Sequence, residues 1–170
     1  YGSAKILGFQ SGASHKEIDL SRFNEKSASV PYVMGVKNWN EHLVVVLQRL
    51  DAAYALADDS SLVLVIDPAS DDVETRIALP FQNPYDIDLR GDMLALGCTG
   101  GWKSSTDGGL VLVDLKSGRV SQSVPASDLG GDPSSVAFTS DDRVWVGVDL
   151  GWPDTKARPV DISSGKIGDL

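Results

Sequence analysis

The sequence predicts an all-β protein built from β-propeller blades, which are four-stranded antiparallel sheets arranged radially around an axis. The first observation is a repeat. Val-Asp-Leu-Lys-Ser-Gly at 113–118 reappears as Val-Asp-Ile-Ser-Ser-Gly at 160–165, and a looser copy occupies 66–71. The aspartates of the three copies are each 47 residues apart, at Asp67, Asp114 and Asp161. A fixed period of this size is typical of repeat folds, in which each repeat is one supersecondary unit.

The second observation is a regular series of short apolar runs that predict core strands: Leu43–Gln48, Leu62–Asp67, Met93–Cys98, Leu110–Asp114 and Val144–Val148. Several of these runs are apolar at nearly every position, which indicates that both faces of the sheet are covered. The third observation is a proline before the inner strand of each unit, at Pro31, Pro84 and Pro133. Proline fixes φ there, at a place where no ladder donor is needed.

Three further runs alternate polar and apolar residues and predict outer strands with one side in water: His15–Leu20, Asp72–Leu79 and Gly118–Val124. Grouping the strands by fours divides the single propeller region 1–170 into a half blade and three blades. Their ranges are 1–24, 30–80, 83–126 and 133–170, the last ending with a strand at Lys166–Leu170.

About three and a half blades is fewer than the roughly four to eight with which propellers usually close. An open arc of blades would expose an apolar sheet face at each end, and such faces favour association. The chain is therefore expected to belong to a larger ring, with two other arrangements left open. Two copies would complete one ring by self-association through the exposed faces, or the chain would close as four blades with its first blade completed from elsewhere.

Composition limits the classes of partner. The net charge is −9 and the isoelectric point is about 4.5, so nucleic acid and anionic membrane surfaces would be repelled. No apolar run approaches the roughly 20 residues that span a bilayer. The single Cys98 lies in a strand pattern and is expected to be a small buried hydrophobe. Because the chain begins with Tyr1, we expect that an N-terminal segment was removed and that a signal could have gone with it.

The pattern V-x-L-Q-R-L-D at 45–51 resembles a known family when taken with Ser-Ser-Leu-Val-Leu-Val-Ile-Asp at 60–67 and Asn83-Pro84. It is similar to the repeats of bacterial YVTN or quinoprotein amine dehydrogenase-like propellers. That resemblance implies a ring of about seven blades in an exported surface or periplasmic lipoprotein. The lipid anchor would lie outside this chain and would provide its only membrane contact. No catalytic residue is implied by the matched residues.

One face of the predicted propeller carries the long loops between second and third strands, at 49–60, 99–108 and 149–156. Binding and catalytic residues are common on loops that a rigid scaffold holds in place. The candidate ligand-binding residues on this face and on the adjoining connections between blades are Arg49, Asp51, Tyr54, Asn83, Trp102, Asp107, Asp132, Trp152 and Asp154. The two histidines, His15 and His42, are placed at turns of the opposite face, so neither reaches this face as a general base.

Each candidate has a structural alternative. Trp102 and Trp152 offer flat rings for a sugar or a peptide, or they fold back over their own blades. The loop carboxylates could bind Ca²⁺, although their spacing matches no calcium loop and solvated acids are the alternative. Arg49 could clamp a ligand carboxylate, or it could form a salt bridge to Asp51 that orders the loop. No other cofactor and no other metal site is predicted.

The leading functional prediction is a non-enzymatic propeller of an exported bacterial protein whose long-loop face binds a protein or glycan. The alternative is a metal-assisted, lactonase-like hydrolase at the central channel. It requires inward polar side chains that converge there from successive blades, such as Asp86, Asp132 or Asn83. A structural spacer in a surface array is a third hypothesis.

Overall fold

A computed structural model of the chain describes residues 5–8, 16–23, 31–49, 60–101, 107–151 and 153–168. Within these ranges the protein is all-β, as predicted, with thirteen strands and two single-turn helical segments. The first two strands, β1 (Lys5–Gly8) and β2 (Lys16–Asp19), form a two-stranded antiparallel sheet. A 3₁₀ turn at Ser21–Phe23 follows β2.

The next eight strands form two four-stranded antiparallel sheets, each in sequential order. The first sheet, blade 1, contains β3 (Val33–Trp39), β4 (His42–Leu47), β5 (Leu62–Asp67) and β6 (Asp72–Ala78). The second sheet, blade 2, contains β7 (Pro84–Arg90), β8 (Met93–Cys98), β9 (Gly109–Asp114) and β10 (Arg119–Pro125). These ranges agree with the predicted core and outer strands to within about two residues at each end.

A four-residue helix, α1 (Ala126–Leu129), connects blade 2 to blade 3. Blade 3 contains β11 (Asp132–Ser140), β12 (Arg143–Asp149) and β13 (Thr155–Asp161) in sequential order. The strand predicted at Lys166–Leu170 is wrong in its described part, where one bridge joins Ile167 to Val160. A fourth strand would pair with β13, where Pro159 has no backbone N–H to donate to it. Gly168, in the predicted strand itself, weakens strand pairing.

The core lies between successive sheets, which explains why the core strands are apolar on both faces. Val44 and Val46 of β4 share a buried cluster with Leu94 and Leu96 of β8. On its other face, blade 2 contributes Ala95, Leu110 and Leu112 to a second cluster with Val144, Val146 and Val148 of β12. A third cluster joins Ile18, Leu20 and Phe23 to blade 1 through Val45, Leu47, Leu62, Leu64 and Ile66.

The repeated aspartates have a local structural role. Each lies at the end of a third strand and accepts hydrogen bonds from the turn that follows. Asp114 Oδ1 accepts from the backbone amides of Lys116 and Ser117, and Asp161 Oδ1 accepts from the amide of Ser164. These are Asx turns, and four residues after each aspartate the chain adopts positive φ, at Gly118 and Gly165. The aspartates therefore recur every 47 residues because the same turn recurs at the end of each third strand.

The seam between the inner strands of blades 2 and 3 is closed by carboxylates. Asp86 Oδ2 accepts a hydrogen bond from the backbone amide of Val136 at 2.9 Å, and Asp88 Oδ2 accepts from that of Phe138 at 2.8 Å. These amides lie on the edge of β11 that is not paired with β12. Side chains of blade 2 thus provide hydrogen-bond acceptors for backbone amides on the unpaired edge of blade 3.

Within the described residues, no helix is long and apolar enough to cross a bilayer. The division of the chain into the predicted domain ranges stays a prediction.

Candidate functional site

The strand order places the loops after β4, β8 and β12 on one end of the sheets, together with the connections between blades. We call this end the long-loop face and the other end the short-turn face. Four of the predicted site residues, Asp51, Tyr54, Trp102 and Trp152, lie outside the described residues. The other five are Arg49, Asn83, Asp107, Asp132 and Asp154, and all of them lie on the long-loop face.

Three carboxylates of this face lie near one another. Asp132 begins β11 and is paired across the sheet with Asp149, which ends β12. Burial, followed by the negative charges of Asp107 and Asp149, raises the pKa of Asp132 above its ordinary value. Its Oδ1 atom is buried and has no hydrogen-bond partner among the described residues. A carboxylate in such a site favours a proton or a cationic partner.

The neighbours of Asp132 are held by the loop backbone. Asp107 Oδ1 accepts a hydrogen bond from the amide of Gly101 at 3.1 Å, and Asp149 Oδ1 accepts from Gly151 at 2.9 Å. The amide of Asp154 donates to the Gly151 carbonyl at 2.7 Å, and the Asp154 carbonyl accepts from Leu150 at 2.9 Å. These bonds fix the loop after β12 in a tight turn. The Asp154 side chain is exposed at that turn.

Asn83 is buried in a polar network between blades 1 and 2. Its Oδ1 accepts a hydrogen bond from Gln48 Nε2 at 2.9 Å. Its Nδ2 donates to Thr99 Oγ1 at 2.9 Å and to the Gly100 carbonyl at 3.0 Å. Its backbone amide donates to Ser61 Oγ at 3.1 Å. The Asn83 side chain is thus engaged inside the protein, and ligand binding through it would require these bonds to break.

Sequence analysis did not identify Gln48, Ser61 or Thr99 as members of this network. Gln48 Nε2 also donates to the Pro84 carbonyl at 2.7 Å, and Ser61 Oγ donates to the Gln48 carbonyl at 2.8 Å. The signal for these residues was a polar residue directly before or after a long apolar run. A buried polar group is stable only when it is hydrogen-bonded, so such positions indicate an internal partner.

Arg49 lies beside this network, only 2 % exposed, and its Nη1 atom donates to the Ser60 carbonyl at 2.9 Å. Its φ is 57°, which is left-handed, and the corresponding residue after β8 is Gly100 with a φ of 64°. A non-glycine residue in this region is uncommon and indicates that its surroundings hold it there. The predicted partner Asp51 lies outside the described residues.

The inner strand of each blade carries a β-bulge at its long-loop end. The pairing register shifts once between Val33 and Gly35, once between Pro84 and Asp86, and once between Pro133 and Ser135. The extra residues are Met34, Tyr85 and Ser134. Tyr85 is 55 % exposed, and bulges of this kind are common beside binding sites because they redirect a side chain. Tyr85 therefore joins the candidate site, although sequence analysis did not select it.

The short-turn face holds His42, as predicted, and open grooves lined by described residues. One groove of about 400 Å³ lies between blades 2 and 3 and includes Arg90, Lys116 and Phe138 in its lining. Another, of about 330 Å³, lies on blade 3 and includes Arg143 and Lys166. Both ring nitrogens of His42 face acceptors, with Nδ1 2.7 Å from the Asn40 carbonyl and Nε2 3.0 Å from Glu74 Oε2. The predicted turn of His15 lies outside the described residues.

Among the described residues, no group of three or more His, Cys, Asp or Glu side chains is arranged to hold a metal ion. Asp86, which the hydrolase alternative would use, is hydrogen-bonded to the Val136 amide, and Asn83 is enclosed in its network. Cys98 is buried, and burial raises the pKa of its thiol. A protonated buried thiol is a poor nucleophile, which agrees with its predicted role as a core residue.

No protein-family model matches the sequence, and no curated protein matches it. Solved structures do match. Over 97 % of this chain and 40 % of the other, the fold is similar to that of apo AztD from Citrobacter koseri, with a TM-score of 0.58 and 17 % identity. The dihydro-heme d1 dehydrogenase NirN in complex with DHE matches 98 % of this chain with a TM-score of 0.62, 13 % identity and 32 % of its own length covered. The computationally designed Ika8 protein matches 98 % of this chain with a TM-score of 0.55, 12 % identity and 48 % of its own length covered.

The chain is built of β-propeller blades. The neighbours AztD and NirN are propeller proteins, two of the described sheets have the four sequential strands of a blade, and successive sheets pack face to face. The chain spans less than half the length of each of the three structures. Identities of this size show the fold alone, so the resemblance to the YVTN type stays a prediction.

Proposed function

We propose that this chain is a non-enzymatic, ligand-binding part of a β-propeller that uses its long-loop face. The observation that carries the proposal is the carboxylate of Asp132, whose Oδ1 atom is buried without a partner among the described residues. The carboxylates of Asp107, from the preceding blade, and Asp149, from the same blade, lie near it. Tyr85 lies at the same end of the neighbouring inner strand and is largely exposed. An exposed aromatic ring on the same face as these carboxylates is suited to a protein or glycan ligand.

The location of the protein belongs to the same proposal. Export to the periplasm or cell surface of a bacterium, with a lipid anchor outside this chain, is supported only by the resemblance of 45–51 and 61–67 to YVTN-type repeats. The metal-assisted hydrolase remains the alternative function. It would have to rely on Asp132, because Asp86 and Asn83 are engaged in internal hydrogen bonds.

The test is a binding screen of the full chain against an array of bacterial and host glycans and an array of peptides of varied charge. Asp132→Asn, Trp102→Ala and Trp152→Ala are compared with Asp141→Asn, which changes an exposed carboxylate on the short-turn face. We expect the three long-loop variants to lose about tenfold or more in affinity for any ligand found, and the control to bind like the parent chain. Equal binding by all four variants would exclude this face.

A further inference from the structure

The short-turn end of the seam between blades 2 and 3 holds the groove of about 400 Å³. This volume is within the range of roughly 300–1,000 Å³ that small-molecule pockets have. Met93 of β8 and Phe138 of β11 line the groove, and both are partly buried against the apolar cluster between these blades. An apolar ligand would remove their remaining surface from water, which favours binding.

The equivalent place at the seam between blades 1 and 2 is occupied by a side chain of the protein itself. Trp39 is the last residue of β3, as Arg90 is the last residue of β7, and each belongs to the final pair of its hairpin. The Trp39 indole packs against the apolar cluster between blades 1 and 2. Its Nε1 atom donates a hydrogen bond to Asp92 Oδ1, in the next blade, at 3.0 Å. An aromatic ring therefore covers this seam.

Arg90 does not cover its seam in the same way. Its Nε atom donates to Asp141 Oδ1 in the turn between β11 and β12 at 2.6 Å, and its side chain is 47 % exposed. That bond uses one of the several N–H groups of the guanidinium and leaves the others as donors for a ligand. The groove beside Arg90 retains the apolar lining of Met93 and Phe138 without a ring such as that of Trp39 to cover it.

Lys116 provides a second cation in the lining of the groove. It is exposed and lies in the Asx turn after β9, two residues after Asp114. The corresponding residues of the other two repeated turns are Ala69 and Ser163. Of the three turns, the one that borders the groove is therefore the one that carries a cation at this position.

The carboxylates of the lining already accept hydrogen bonds from groups of the protein. They are Asp92, Asp114 and Asp141. These bonds partly offset their negative charge, whereas Arg90 retains N–H groups and Lys116 supplies an ammonium for a ligand. Charge complementarity at the groove therefore favours a ligand with a negatively charged group.

We propose that this groove binds a small aromatic carboxylate. The ring would lie against Met93 and Phe138, as the Trp39 indole lies over the seam one blade earlier, and the carboxylate would lie between Arg90 and Lys116. Contacts of an aromatic ring with a thioether and with a second ring are both favourable. The groove is at the opposite end of the sheets from the long-loop face, so this inference is independent of any ligand there.

The test titrates the full, isotope-labelled chain with phenylpropionate, phenylpropanamide and phenylpropylamine, followed by NMR. The three probes share one ring and one chain length and carry a negative charge, no charge and a positive charge. We expect phenylpropionate to move the amide signals of Gly91, Lys116 and Phe138. It should bind about fivefold more tightly than the uncharged amide, which is the gain that an exposed ion pair gives at most.

Two variants separate the charge from the ring. Lys116→Gln should weaken phenylpropionate about fivefold and leave phenylpropanamide unchanged, and Lys166→Gln, the same change at the groove on blade 3, should bind like the parent chain. Arg90→Trp should abolish binding of both probes, because the indole would cover the groove as Trp39 covers its seam. Lys116 is exposed, so its replacement should leave the fold intact, and thermal unfolding checks this for each variant.

Groove signals that do not move at millimolar phenylpropionate would overturn the proposal. Equal affinities for the acid and the amide, or tighter binding of the amine, would also overturn it, since the charge would then have no role or the opposite one. Binding of the acid that survives Arg90→Trp would place the ligand elsewhere and contradict the inference. Signals that move only on the long-loop face would contradict this inference and leave the proposed function standing.

Discussion

The carboxylate of Asp86 accepts a hydrogen bond from the backbone amide of Val136, 50 residues further along the chain and in the next blade. Asp88 and Phe138 repeat this relationship two residues further along each strand. The aspartates are side chains of one inner strand, and the amides belong to the unpaired edge of the next. The seam between blades 2 and 3 is therefore held by specific polar contacts as well as by the apolar cluster behind it.

The seam predicts the effect of removing an acceptor. Asp86→Ala leaves the half-buried amide of Val136 without its partner, and we expect the free energy of unfolding to fall by about 1–3 kcal/mol. Asp86→Asn keeps an acceptor oxygen and should have a smaller effect. Urea denaturation measures both. The control is Asp141→Ala, which removes an exposed ion pair with Arg90 and should cost no more than about 1 kcal/mol. An equal loss in Asp86→Ala and Asp141→Ala would contradict a structural role for Asp86.

The network around Asn83 predicts a larger effect that separates hydrogen bonding from backbone conformation. Asn83→Gly removes the acceptor of Gln48 and the donor to Thr99, and each buried group left unsatisfied costs about 1–3 kcal/mol. Asn83→Ala has the same loss and must also hold a φ of 56°. Left-handed backbone costs a residue with a Cβ atom about 1–2 kcal/mol more than glycine. Thermal and urea unfolding should thus rank Ala below Gly, and the reverse order would contradict this account.

His42 predicts a dependence of stability on pH. Both of its ring nitrogens face acceptors, so the imidazolium form is favoured. The Asn40 carbonyl, followed by the Glu74 carboxylate, raises the pKa above 6.5. Because the folded-state pKa is raised, this contribution to stability is fully present below pH 6.5 and is lost as pH rises through the folded-state pKa.

The His42 titration can be followed by NMR. We expect a midpoint above 6.5 in the parent chain and a lower midpoint in Glu74→Gln. The difference in stability between the parent chain and Glu74→Gln should shrink as pH rises through that midpoint. A midpoint unchanged by Glu74→Gln would show that the ion pair does not operate in solution. Asp154→Asn, which removes the same charge at an exposed position of the long-loop face, serves as the matched charge control.

The repeated Asx turn predicts an effect at acidic pH. Hydrogen bonds from the Ser163 and Ser164 side chains lower the pKa of Asp161 to about 2, from an ordinary value of 3.8. Because the folded-state pKa is depressed, the contribution is present above pH 3.8 and is lost as pH falls through about 2. Replacing both serines with alanine should move the Asp161 midpoint, measured by carboxyl NMR, back toward 3.8. No movement would contradict the assignment of this turn.

The repeat and the strands could be predicted because they depend on local chemistry. Asp114 and Asp161 recur because each forms the same turn with the residues directly after it, and the apolar runs recur because every blade is covered on both sides. The bonds from Asp86 and Asn83 could not be predicted, since their partners lie in other strands and become neighbours only when the blades stack.

The candidate site was predicted in part. The long-loop face and Asp107, Asp132 and Asp154 were found from loop length and composition, and the structure places them on that face. Tyr85 was missed because a bulge, which depends on pairing between two strands, determines its exposure. Asn83 was selected because it adjoins a loop, and nothing in its local sequence indicates that Gln48 and Thr99 enclose it.

Each bulge leaves one residue of an inner strand outside the pairing between strands. Met34, Tyr85 and Ser134 are each unpaired at the long-loop end of an inner strand, so the identity of the side chain there matters little to strand alignment. One is a thioether, one a phenol and one a hydroxyl. Met34 packs against the buried cluster between blades 1 and 2, and Ser134 Oγ donates to the Gly147 carbonyl, whereas Tyr85 is exposed. Evolution or a protein engineer can therefore exchange Tyr85 and change the chemistry of the long-loop face without redesigning the sheet that carries it.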